Sequence, residues 1–110
     1  MVIFGFCLYL VDDRDLFKVL YETDRILKKG GVIIIFDFAS KRIKYKTYKH
    51  NKKINSRHMD YKKLFIHHPN FELIYNINFV YQSKNNKNKS SINKERNIYL
   101  NISTILKISE

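Results

Sequence analysis

Residues 30–38, Gly30-Gly31-Val32-Ile33-Ile34-Ile35-Phe36-Asp37-Phe38, follow directly on a segment ending Arg25-Ile26-Leu27-Lys28-Lys29. An apolar, largely β-branched run behind a double glycine limits the possible folds more than any other feature of the chain. Glycine tolerates the left-handed turn that ends a helix, and Lys28 and Lys29 suit the negative pole of that helix. A strand apolar at nearly every position is a strand covered on both faces, as in a parallel α/β sheet. Ligands of such sheets bind beyond the carboxyl ends of the strands, which marks the single carboxylate of the run, Asp37.

The flanking segments fit the same fold class. Val2–Leu10 reads as a strand, aromatic and apolar without a polar break. Asp12 or Asp13 caps the helix that follows, and Asp15 favours its positive pole. Leu16, Leu20, Thr23 and Leu27 lie on one helical stripe flanked by Phe17, Val19 and Ile26, with Lys18, Glu22, Asp24 and Lys28 opposite. Residues 1–38 are thus predicted to form a right-handed βαβ unit with parallel strands. Residues 39–70 read as a basic loop without periodicity over Ser40–Asn55, then a short helix from Asp60 through Leu64, Phe65 and Ile66, ended by Pro69. In residues 71–110, Phe71, Leu73, Tyr75, Ile77, Phe79 and Tyr81 alternate with mostly polar neighbours. Ile98, Leu100, Ile102, Leu106 and Ile108 also alternate. That is the period of strands with one buried face, paired most simply as an antiparallel hairpin across the polar stretch Ser83–Glu95.

The chain has 110 residues, room for one small domain, and an apolar share of 45% with eight Phe and eight Tyr argues for a folded core. Val2–Val11 and Val32–Phe38 are too short to cross a bilayer as helices, so no membrane partner is expected. No basic region precedes the first apolar stretch and Asp12-Asp13 follow it, a poor fit to a signal peptide. The lone Cys7 excludes an internal disulfide and suits a cytoplasmic location. The formal net charge of +11 favours polyanions. The stretch Lys41–Lys53 mixes cations with Tyr45 and Tyr48, which suits single-stranded nucleic acid. A solvated loop in a chain rich throughout in lysine and asparagine explains it equally well. Four histidines, His50, His58, His67 and His68, show no metal-ligand spacing and read as solvated or loop residues.

Arg25-Ile26-Leu27-Lys28-Lys29-Gly30-Gly31 matches an "R-h-L-K-x-G-G" turn (h apolar) between a helix and a buried strand. With Val2–Leu10 upstream and Met59-Asp60-Tyr61 through Pro69-Asn70-Phe71 downstream, nearly the whole chain resembles the carboxyl-terminal half of class I S-adenosylmethionine-dependent methyltransferases, of the methyltransferase type 11-like group. The resemblance implies a partial Rossmann-like sheet ordered 4-5-7-6 in the family's strand numbering, its first strand an open edge. It implies S-adenosylmethionine as cofactor, with Gly5, Phe6, Cys7 and Leu8 on the cofactor's side. Asp37 and Tyr9 become candidate catalytic groups, Asp37 orienting or deprotonating an acceptor and Tyr9 donating a hydrogen bond. Tyr45, Tyr48 and His50 would border a small-molecule acceptor.

The family's glycine-rich cofactor turn is missing: the only glycines are Gly5, Gly30 and Gly31. The chain is therefore expected to be incomplete and inactive alone, a truncated copy or one piece of a split enzyme. Its expected partners are an amino-terminal half or a second copy at the first strand. Two other functions stay open, a basic nucleic-acid-binding α/β module and a structural half completed by dimerisation.

Overall fold

A computed structural model describes residues 1–82 and 97–110. The elements are β1 (Val2–Gly5), α1 (Leu16–Ile26), β2 (Val32–Phe38), β3 (Lys44–Thr47), β4 (Asn55–His58), α2 (Lys62–Ile66), β5 (Phe71–Gln82) and β6 (Asn97–Lys107). The polar connection read over residues 83–95 lies outside the described residues.

The main sheet runs β1-β2-β6-β5. β1 and β2 are parallel, with Val2 opposite Ile33 and Phe4 opposite Ile35. β6 lies antiparallel to β2, and β5 antiparallel to β6 with a bulge between Leu73 and Tyr75. The architecture is mixed α/β, mostly strand, with the parallel pair and the terminal antiparallel hairpin that the sequence predicted.

Paired residues share a face of the sheet, and the register separates two unlike faces. Ile33, Ile35, Ile105 and Phe71 point inward and are buried with Leu8, Leu27, Tyr61 and Phe65. Leu16, Val19 and Leu20 of α1 and Leu64 of α2 pack on this cluster. Phe17 and Ile26, placed beside the helical stripe, are instead 78% and 58% exposed, because they lie off the side that meets the sheet. The other face carries Val32, Ile34, Phe36, Leu100, Ile102 and Leu106, all half-buried, and the exposed Ile3, Tyr75, Phe79 and Tyr81. The expectation of a strand covered on both faces is corrected: β2 alternates buried and half-buried residues.

Three boundaries also depart from expectation. β1 stops at Gly5, because Phe6 takes a left-handed φ of 51° and residues 8–10 form a 3-10 turn. α1 ends at Ile26, and residues 28–31 make a separate turn in which Gly31 N–H donates to the Lys28 carbonyl. Residues 44–58 hold an antiparallel ribbon, β3 with β4, rather than a loop. Asp12 caps the 3-10 turn Asp13–Asp15 that leads into α1, its carboxylate accepting from Arg14 N–H, while the N-cap of α1 itself is Asp15, without a side-chain cap. The expected Asp60 cap is corrected: the N-cap of α2 is Tyr61, and the Asp60 carboxylate pairs instead with Lys62 at 2.5 Å.

Candidate functional site

The carboxyl ends of β1 and β2 meet the segment Phe6–Val11, and two buried charges fix that segment. Asp37 is 2% exposed; one carboxylate oxygen accepts from Leu8 N–H at 2.9 Å and the other from Phe38 N–H at 2.8 Å. Burial pushes its pKa up to about 6, against the opposing pull of the amides that donate to it. Arg57, 3% exposed on β4, donates to the carbonyls of Leu8 (2.8 Å) and Val11 (2.7 Å) and to the Asp13 carboxylate (2.5 Å). Leu8 is thereby held at its amide by Asp37 and at its carbonyl by Arg57. The Tyr61 ring lies 5.4 Å beneath the guanidinium, and its hydroxyl donates to the Arg57 carbonyl.

On this fixed segment an aromatic cluster is built. Phe6 packs on Phe36 and Phe38, with ring centroids 4.6 and 5.3 Å away. Tyr9 meets Phe38 edge-on at 4.9 Å and Tyr48 at 6.2 Å, and Tyr48 meets His50 at 5.2 Å. His58 stacks on Phe38 at 4.7 Å, the planes 7° apart. Burial first, and the nearby Lys46 and Lys44 next, hold the His58 imidazole below its ordinary pKa. Burial, the Tyr48 phenol and Asp37 raise that of Tyr9. At neutral pH the cluster therefore offers a neutral imidazole and a protonated phenol: a proton acceptor and a proton donor.

Of the residues singled out in the sequence, Phe6, Tyr9, Tyr48 and His50 join this cluster. Leu8 does not line a ligand site; it is 1% exposed and belongs to the core. Asp37 faces the protein interior with both oxygens engaged, so its role in the fold is to anchor the Phe6–Val11 segment rather than to meet an acceptor. Tyr45 points away, its hydroxyl donating to Asp13 at 2.8 Å. Gly5 pairs with Phe36, and open space surrounds the position a Cβ would take there. Cys7 is exposed as a residue; partial desolvation of its thiol first, and Asp37 next, raise its pKa, which keeps it a thiol.

Phe38 and Arg57 were not singled out, and His58, expected to be a solvated or loop residue, is instead half-buried on β4 against Phe38. Phe38 was legible as the residue beyond Asp37 at the ligand end of the strand. Arg57 and His58 gave no signal, because their strand is defined by tertiary contacts and carries no hydrophobic alternation.

No family model, curated protein or solved structure matches the chain.

Proposed function

We propose that this chain supplies the acceptor-binding part of a Rossmann-like sheet for S-adenosylmethionine-dependent methyl transfer, and does not hold the cofactor by itself. The observation that carries this reading is the strand order β1-β2-β6-β5. A parallel pair is followed by a hairpin whose second strand, not its first, lies against the pair. That is the order implied by the resemblance of the Arg25–Gly31 turn and its neighbours. Two further features support it. The aromatic cluster stands at the carboxyl ends of the parallel pair, where open α/β sheets take ligands. The half-buried outer face is apolar, and an apolar sheet face calls for a second layer.

The described residues do not fit the cofactor. Gly30 and Gly31 precede β2, at the end of the strand opposite the aromatic cluster. Asp37 is buried and engaged, while Asp12 and Asp13 pair with Arg14 and Arg57, which leaves no free carboxylate there for ribose hydroxyls. What the chain contributes is the acceptor side: aromatic walls from Phe6, Tyr9 and Phe38, and His58 as the group able to take a proton from a bound acceptor. Titration calorimetry of the chain with S-adenosylmethionine tests the division of labour. No saturable binding is expected, and micromolar binding by the chain alone would overturn it.

A second reading is favoured by one observation. Among the described residues β1 is an edge strand paired on one side only, and Ile3 within it is 60% exposed. Such an edge pairs readily with another chain, so self-association through β1 is the alternative to a separate front half. Sedimentation velocity across a hundredfold concentration range decides it: this alternative requires a concentration-dependent dimer, and a monomer throughout would dismiss it.

A further inference from the structure

A cleft of about 770 Å³ lies on the inner side of the β5–β6 hairpin, beyond the helices, and is separate from the aromatic cluster. Its floor is formed by Asn78, Val80, Tyr99 and Asn101, which the register puts on one face of the two strands. Residues 39–42, Lys44, Asp60 and Lys62 form its walls, and Phe79 and Leu100 also border it. We propose that this cleft binds a nucleotide, a phosphate carried with a planar base, either free or within a single strand.

The charges fit the phosphate. Lys41, Arg42 and Lys44 line the cleft, are exposed, and form no ion pair among the described residues. Lys62 is already matched by Asp60 at 2.5 Å, so three positive charges remain uncompensated. The floor fits the base. Tyr99, 48% exposed, offers an aromatic face for stacking. Asn101, only 6% exposed, is held by its amide nitrogen to the side-chain oxygens of Asn76 (2.6 Å) and Asn78 (2.7 Å), so a rigid polar ladder borders the cleft.

The volume lies within the range of small-molecule sites, about 300–1,000 Å³. The inference stands independently of the methyl-transfer reading, since it uses neither the aromatic cluster nor the cofactor.

The test is fluorescence anisotropy of the full chain with 5′-fluorescein-labelled decauridine RNA, with adenosine monophosphate as competitor. Binding is expected to weaken about twentyfold between 50 and 200 mM salt, as three phosphate contacts on a single strand require. The triple variant K41A/R42A/K44A is expected to lose at least tenfold in affinity and to flatten the salt dependence. Y99L is expected to lose at least fivefold while keeping the wild-type salt dependence. K52A/K53A, on the exposed ribbon turn outside the cleft, is expected to bind as wild type. Full competition by the monophosphate assigns the site to free nucleotides, and failure to compete assigns it to the strand. Absence of RNA and nucleotide binding would overturn the proposal. So would equal loss in the cleft and ribbon-turn variants, which would mean diffuse surface charge. Circular dichroism melts matching wild type confirm that each variant is folded.

Discussion

Asp37 and Arg57 show how two buried charges set one short segment. Asp37 was conspicuous in the sequence as the only carboxylate of its strand, but its partners were not. The Leu8 amide that it holds lies 29 residues earlier, and no local pattern links the two. Its pKa of about 6 has a direct consequence. Between the ordinary carboxylate value and pH 6 the native state binds a proton that the unfolded state does not. Stability therefore falls as pH rises from about 4 to about 6, by on the order of 3 kcal/mol, and is flat above. The Asp37→Asn variant is expected to lose this slope, measured as the thermal midpoint at half-unit steps from pH 4 to 7; an unchanged slope would assign the titration to another group. Arg57→Ala strips the donor from the Leu8 and Val11 carbonyls and leaves Asp13 without its partner. A loss of about 2–4 kcal/mol in urea unfolding is expected from the two carbonyls left without their charged donor, since Asp13 is more than half exposed and is left to solvent.

Among the elements, β2 was the most legible, and its observed bounds are those of the apolar run. The β3–β4 ribbon was illegible because every residue of β3 is exposed, so hydrophobic alternation had nothing to report. The ribbon is tied down from outside, by Tyr45 on Asp13 and Arg57 on the Phe6–Val11 segment. The end of α1 was half legible. Lys28 and Lys29 were taken to serve its carboxyl pole, yet both are exposed. The lysine that serves it is Lys107 of β6, donating to the carbonyls of Asp24 (2.7 Å) and Leu27 (2.6 Å). Lys107→Met is expected to cost about 1–3 kcal/mol by leaving those carbonyls unpaired.

The double glycine is required for two different reasons. Gly30 has a φ of 85°, while a Cβ at Gly31 would sit 2.5 Å from Leu27 Cδ1 and 2.8 Å from the Lys28 carbonyl. Gly31→Ala is thus expected to destabilise by about 1–3 kcal/mol through overpacking. The main packing of α2 rests on Phe65, which has no exposed surface. Phe65→Ala is expected to cost about 3–5 kcal/mol in denaturant unfolding.

Taken whole, the molecule is a sheet with one face packed by two helices and an apolar second face left half-buried. That asymmetry could not be read from β2, since an uninterrupted apolar strand looks the same whether one face or both are covered. The parallel pair was legible from the helix-to-strand turn and the hairpin from period two, whereas their order in the sheet was implied only by the resemblance. The site was legible only in part. Phe6, Tyr9 and Tyr48, marked near the strand ends, come together in the aromatic cluster, whereas His58 and the basic cleft depend on how a ribbon and a hairpin fold toward each other.

The function proposed for the chain stands or falls with its ability to complete a sheet whose cofactor-holding half another segment supplies. The measurement is calorimetric titration, with S-adenosylmethionine, of a chimera joining the first three strands and glycine-rich turn of a class I methyltransferase to Val2 of this chain. Micromolar binding is expected, with Tyr9→Leu leaving it unchanged because Tyr9 belongs to the acceptor side. A chimera that folds by circular dichroism and does not bind would contradict it.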